Sequence, residues 1–524
     1  MVGEIQRCHG IETCKTKNEP STYPFSNPFW SFQMKQVKFS ALSATSAAVA
    51  ILCLGASASA FAQVEAKVTG RVHFDARNFS TSLNAIADRD SASLGDSFEV
   101  RRARIGIVGT INKDISYEVV GNAVGGNTNF VDTAWGNYGF NKKAQVRVGR
   151  FKQPFSMEEQ SSSNNVSFME RSYGNQMVPG KRLGAMVHGE PMTGLTYGVS
   201  VYQDGFNELT NQSNIGNKQA ARLTLNLAQL RDIKDTVLHI GAGYTGGESK
   251  VVPANSSNTQ ESVSSTSRAT IVALRSENRG MANVYRAQIG GDKLIASDYV
   301  QSANNAITIN QKLRGVELAG ARGPFKFQME TFNSKYDAKG GFQDLTSTTV
   351  AAPAAHAMGV QVKAEYMEFM YNITGESFAE AYKGGNFGGI KPKTNFMTDY
   401  GGVVGNGTGA WQVGFRASKY SSNLPVTPSA TNCTATTSCE NNVTTGSASI
   451  GSRVQNAESA KTNTYALNWI LNSNARIMFN YAETTFGHKV VLLDVNKSTN
   501  NYGVTGSGTT DKERVISVRS QFNF

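Results

Sequence analysis

The sequence predicts an all-β chain: a transmembrane antiparallel β-barrel of about 16 strands and at most 18. Three observations lead there. Residues 514–524 alternate, with Ile516, Val518, Ser520, Phe522 and Phe524 on one face and Ser517, Arg519, Gln521 and Asn523 on the other. Residues 64–77 alternate without a break, Val64, Ala66, Val68, Gly70, Val72, Phe74 and Ala76 opposing Glu65, Lys67, Thr69, Arg71, His73, Asp75 and Arg77. A wet face so rich in ionisable groups does not suit a packed core but suits a water-filled lumen. Finally, beyond the leader no run of 18 apolar residues occurs, which excludes a helical membrane protein. A barrel strand needs only about 9–11 residues and hides its apolarity in alternation.

The N-terminus reads as two pieces. Met34 opens a basic stretch with Lys35 and Lys38, a small apolar core runs over 41–54, and Ala60-Phe61-Ala62 supplies a cleavage site. This predicts a signal peptide over 34–62, an over-extended start over 1–33, and a mature chain, 63–524, forming a single barrel. A membrane anchor or a lipoprotein at Cys53 fits less well, because the core is short and Leu52 is large. The formal charge is +11; removing the five Lys/Arg and three acids of 1–62 leaves +9. Basicity points to anionic partners, and export argues against nucleic acid. Cys8, Cys14 and Cys53 precede the cut, leaving Cys433 and Cys439 as a small loop disulfide, with a metal pair as the rival reading.

Strand-like segments recur from 64 to the end. Short turns join 98–110 to 115–122 through Asn112-Lys113-Asp114, and 465–471 to 476–483 through Asn472-Ser473-Asn474. Longer polar stretches separate others, at about 78–97, 152–180, 205–218, 247–266, 334–357, 380–409, 421–461 and 486–511. The segment 358–379 reads as one strand or two. Parity turns Leu183, Ala185, Val187, Ala221, Leu223, Leu225, Leu227, Tyr465, Leu467 and Trp469 outward. The inward faces then collect Arg71, Arg77, Arg102, Arg104, Arg147, Arg182, Arg222, Arg286, Arg476 and Arg519, with Glu65, Asp75 and Glu330 as the clear acids. Such rows attract anions, and the guanidinium fork suits phosphate or carboxylate. The plainer reading is a solvated lumen balanced by acids from loops. Strict alternation points Arg101 at lipid, where it snorkels, unless a bulge turns it inward. The connection 152–180 is either a loop folded into the lumen or an ordinary external loop.

Nothing in the chain reads as catalytic or cofactor-binding. The histidines lie one per region without metal-ligand spacing, and the Gly-rich pieces lack a following Lys-Ser/Thr.

F-E-V-R-R-A-R-I-G (98–106), V-G-R-F-K-Q-P-F-S (148–156), I-T-G-E (373–376) and L-N-W-I-L-N-S-N-A-R (467–476) followed by N-Y (480–481) resemble the phosphate-selective porin O/P family. The matches keep that family's order over nearly the whole mature chain. The resemblance implies a trimeric 16-stranded porin in the outer membrane of a Gram-negative bacterium. It also implies an arginine ladder leading to a lysine-bearing constriction for phosphate or polyphosphate. By motif, Arg101 and Arg102 match the paired arginines, and Lys152 and Ser156 the K-x-P-F-S segment. Asp132 and Arg77 match by approximate spacing. Phe524 would present the closing strand to the outer-membrane assembly machinery. The expected function is passive, anion-preferring diffusion, against a general or cation-selective porin on the same fold and a closed structural or adhesin-type barrel.

Overall fold

The computed structural model describes residues 64–80, 97–124, 130–204, 216–251, 269–279, 284–289, 307–342, 354–396, 407–424, 440–442, 453–491 and 509–524. Residues 1–63, and with them the expected leader, lie outside this set, as do Cys433 and Cys439. A closed antiparallel barrel is formed by β1 (Val64–Ser80), β2 (Ser97–Ile111), β3 (Ile115–Asn122), β4 (Val131–Asn141), β5 (Ala144–Lys152), β6 (Lys181–Met192), β7 (Leu195–Asp204), β8 (Gly216–Asn226), β9 (Thr236–Val251), β10 (Ile307–Arg322), β11 (Phe325–Phe342), β12 (Ala354–Asn372), β13 (Ala410–Ser422), β14 (Ser459–Ile470), β15 (Ala475–Val491) and β16 (Thr509–Asn523). The stretch 358–379 thus contributes one strand, ending at Asn372.

Closure removes the unpaired sheet edge that hydrocarbon does not tolerate. At the seam Gly70 N donates to Phe524 O at 2.8 Å, Phe524 N returns a bond to Gly70 O at 3.2 Å, and Asp75 stands opposite Arg519. Between β1 and β2 the register jumps from His73↔Arg102 to Phe74↔Val100, so Arg101 is the extra residue of a bulge. The bulge turns Arg101 inward beside Arg102, which explains why alternation alone misplaces it.

The wall is uneven in height. Strands β3, β4 and β5 have 8, 11 and 9 residues, whereas β10, β11 and β12 have 16, 18 and 19. Along the high strands the polarity of the two faces inverts. Near the short turns β11 turns Phe325, Phe327 and Met329 outward and Lys326, Gln328 and Glu330 inward; further up, Lys335, Asp337 and Lys339 face out while Phe332, Tyr336 and Ala338 are buried. On β12 Met367, Phe369 and Tyr371 face out below, and Met358, Val360, Val362 and Ala364 face in above. An outward face changes from apolar to charged where hydrocarbon gives way to water. The high wall therefore rises out of the membrane at its long-loop end, and the polar stretch expected as a loop over 334–357 instead continues β11 to Phe342 and begins β12 at Ala354.

The apolar inner face of this raised wall is covered. A four-stranded antiparallel sheet of residues 269–274, 285–289, 453–456 and 440–442, taken in spatial order, folds against it. Ile271, Leu274, Val284, Tyr285 and Ile289 join Leu313, Phe332, Tyr336, Val362, Tyr366, Tyr420 and Phe486 in one buried cluster. Arg286, expected on the barrel wall with Tyr285 and Ala287 toward lipid, belongs to this inner sheet, where Tyr285 and Ala287 are fully buried. The segment has a strand's alternation, but covering an apolar patch rather than crossing the bilayer accounts for it.

Asp75 and Arg519 are both sealed at the seam, and removing one partner of such a pair costs about 3–5 kcal/mol. Asp75→Ala should therefore lower the temperature at which the folded barrel converts to the slower-migrating unfolded form on electrophoresis. An unchanged transition would show that the pair does not stabilise closure.

Candidate functional site

The segment between β5 and β6, residues 153–180, folds into the barrel. Pro154-Phe155 brings the chain off the wall, and the Phe155 ring lies on Gly243 and Gly315, where an added Cβ would sit 2.9 Å from it. Ser156, at φ 62°, caps a single turn, Met157–Gln160, its Oγ accepting from Glu159 N at 3.2 Å. The free N–H groups of that turn reach the opposite wall, where Glu330 accepts from Met157 N at 3.0 Å and Glu158 N at 2.8 Å. Further along, the loop carbonyls of Val166, Ser167 and Met169 accept from Arg476, Asn468 and Arg519 at 3.1, 2.9 and 2.8 Å. Lys152 spends its ammonium on the carbonyls of Glu159, Gln160 and Ser161.

Two carboxylates of the loop bind it at opposite sides. Glu170 gathers Arg77 at 2.9 Å, Arg101 at 3.2 Å and Arg519 at 3.6 Å. Burial works to raise its pKa, but Arg101, Arg519 and Arg77 together pull it below the usual carboxylate range. Glu158 accepts from Ser172 N and Oγ at 2.9 and 2.6 Å and meets Arg416 at 3.3 Å. Arg416 also pairs with Glu277, which lies between the first two strands of the inner sheet. Burial pushes Glu158 up to about 7 and raises Glu277 as well, despite Arg416 between them.

On the low side of the barrel, β1–β6 keep a different set of cations only half buried. Arg71 Nη1 donates to Ser163 Oγ at 2.9 Å and Ser162 Oγ at 3.4 Å of the loop. Arg104 lies 3.0 Å from Asp132, and Lys181 bonds the other oxygen of that carboxylate. Arg171 bonds Glu159 at 2.8 Å, and Arg147 stacks on Trp135 at 4.1 Å. The Nε groups of Arg71, Arg104, Arg147 and Arg171 are buried and have no hydrogen-bond partner among the described residues. Arg102 hydrogen-bonds His73 at 3.4 Å and has no carboxylate partner among the described residues.

The expected site residues thus divide. Arg71, Arg102, Arg104, Asp132, Arg147, Lys152 and Arg182 line the low wall, half buried, and Arg182 pairs with Asp204 at 3.0 Å. Arg77, Arg222, Arg476 and Arg519 also point inward, but each is buried beneath an inward segment, and Ser156 is a sealed helix cap. Arg101 is committed to Glu170. Inward acids are far more numerous than Glu65, Asp75 and Glu330: Glu317 and Glu368 come from the wall, Glu158, Glu159, Glu170 and Glu277 from segments whose direction alternation cannot give. Arg171 and Lys181 had a signal as charged residues in and beside the candidate inward loop but were not among the expected pore residues, and Arg416 was missed. Arg416 had a readable signal, since it shares the parity of Gln412 and Ser418.

The opposite end is also narrowed. The long connection 373–409 follows β12 at the short-turn end, against the simple alternation of short turns and long loops. Its hairpin, Tyr382-Lys383 paired with Asn386-Phe387, turns through Gly384 and Gly385 at φ 57° and 79°, a two-residue turn that favours glycine at both positions. Arg222 holds Gly385 O at 2.8 Å while forked onto Glu317 at 2.8 and 2.7 Å, and His239 meets Tyr382 Oη at 2.7 Å.

A model of the family described as phosphate-selective porin O and P matches residues 66–524. The chain belongs to that family. It is accordingly a channel of the Gram-negative outer membrane that passes small solutes. No curated protein matches it. Among solved structures it is similar to OmpT of Vibrio cholerae (9% identity, 88% of this chain and 98% of that one, TM-score 0.43). It is also similar to the outer-membrane channel DcaP of Acinetobacter baumannii (10%, 88% and 97%, 0.42) and to OmpF of Salmonella typhi (12%, 87% and 97%, 0.39).

Because the folded pKa of Glu158 lies above the ordinary carboxylate value, its contribution to seating the porin's inward loop is complete in acid and is lost as pH rises through about 7. Loop mobility, read as current noise in single channels, should increase between pH 6 and 8. Glu158→Gln should remove that dependence; a pH response identical to wild type would refute it.

Proposed function

We propose that this porin passes small anions along the low wall, with phosphate and its polymers as the favoured class. The carrying observation is the half-buried group Arg71, Arg102, Arg104, Arg171 and Lys181, five cations facing the serines of the inward loop, whose carboxylate partners among the described residues are Asp132 and Glu159. A guanidinium already forked by a carboxylate has little left for a passing ion, whereas cations that outnumber their carboxylates along a water channel keep a net positive field that attracts an oxyanion. Asp132, held between Arg104 and Lys181, orients both cations without cancelling them. The family name supports phosphate as the substrate class.

A general porin without charge preference is favoured by the many arginines neutralised in pairs, and the two readings separate by selectivity. We also infer that the low wall is the side that packs against other copies in a homotrimer, since β3, at 8 residues, falls short of the about 9–11 needed to span the hydrocarbon and β5, at 9, only just reaches it. Residues 34–62 act in this proposal as the export signal, and the strand ending at Phe524 as the segment handed to the assembly machinery.

In planar bilayers under a KCl gradient the reversal potential should report chloride passing more readily than potassium, and millimolar phosphate should depress the chloride current. Arg71→Ala with Arg104→Ala should reduce the chloride preference several-fold. A cation-favouring potential in the unmodified protein would overturn the proposal, and a preference untouched by both substitutions would move the pathway elsewhere.

A further inference from the structure

The outer face of the raised wall carries a basic belt that neither the pore nor the fold requires. Immediately above the apolar band, Lys312 and Arg314 of β10, Lys335 of β11, Lys363 of β12 and Lys461 of β14 project outward and are exposed. None of the five has an ion-pair partner among the described residues. Register makes the arrangement costly: Lys312 stands directly opposite Lys335, and Lys461 opposite Lys419. Like charges facing each other across an antiparallel pair destabilise it. Of the acids on this face, Glu365 is held by Lys419 at 2.7 Å and Glu483 by Arg514 at 3.1 Å, and Asp337 and Glu248, one position higher beside Asn310, form no ion pair with the five among the described residues.

Height identifies what does. On each of these strands the outward face becomes apolar within a few residues toward the short turns: Val316 and Leu318 on β10, Phe327 and Met329 on β11, Met367 and Phe369 on β12, Tyr465 and Leu467 on β14. Short turns mark the periplasmic side of such barrels, so the belt lies at the extracellular edge of the membrane. A ligand there has acyl chains against the apolar band and an anionic headgroup at the lysines. Lysine and arginine near an anionic lipid surface are each drawn to its headgroups.

We propose that this belt binds the phosphorylated glycolipid of the outer leaflet, its headgroup phosphates bridging Lys312, Arg314, Lys335, Lys363 and Lys461. The bound phosphates would relieve the facing lysine pairs and hold the high wall upright against the membrane. This surface lies outside the lumen, so it is independent of the anion pathway.

The test uses the full-length folded porin in detergent, with bisphosphorylated lipid A as the probe and dephosphorylated lipid A and phosphatidylglycerol as controls. Binding is followed by native mass spectrometry and by the rise in unfolding temperature. Wild type should retain the bisphosphorylated lipid at least tenfold more tightly than either control. The variant Lys312→Gln, Lys335→Gln, Lys363→Gln, Lys461→Gln should lose that preference at least tenfold while its single-channel conductance stays unchanged, which establishes that it is folded. Equal retention of phosphatidylglycerol, indifference to the phosphates, or a variant that binds like wild type would each overturn the proposal.

Discussion

A guanidinium sealed inside a protein is costly unless counter-charges or hydrogen-bond acceptors meet it, and this requirement organises the barrel. Asp75 forks Arg519 across the seam at 2.6 and 2.7 Å and also takes Arg77 at 2.6 Å. Glu170, brought in by the inward loop, completes the same knot with Arg77, Arg101 and Arg519. The first strand, the last strand and the loop that narrows the lumen therefore share one set of charges. Arg519 lies on the last strand, so closure of the barrel and seating of the loop draw on the same charges.

The wall was legible because its code is local. Alternation at residues 64–77 and 514–524 needs only neighbouring residues to be read, and the observed register at the seam follows from it. Legibility failed where a residue's surroundings are set by distant segments. Arg222 and Arg519 have the parity of lumen residues, and they do point inward, yet Glu317 with Gly385 and Asp75 with Met169 cover them. Arg286 failed for another reason: five alternating residues fit an inner sheet as well as a wall. Polar runs such as 333–339 misled because the rule that outward means apolar holds only within hydrocarbon.

Motif resemblance placed the inward loop at the right position but said little about duty. The lysine and serine of K-x-P-F-S are both engaged in shaping the loop, Lys152 by stitching carbonyls and Ser156 by capping the turn. Their contribution to any anion is thus indirect, through where they hold Ser162 and Ser163 relative to Arg71. The residues with unfilled donors, Arg71, Arg104, Arg147 and Arg171, are scattered along the chain from 71 to 171 and become neighbours only through the barrel.

The two sides of the barrel have accordingly been given to different solvents. Above the membrane the high wall turns apolar residues inward, and the inner sheet dries them. On the low wall, β1 to β6 leave their cations half exposed. A solute that must remain hydrated has no reason to approach the first side and a field drawing it to the second, because low-dielectric walls focus the potential of a one-sided row of charge. On the proposed anion pathway, the same dry wedge that supports the raised wall would strengthen the selectivity of the wet one.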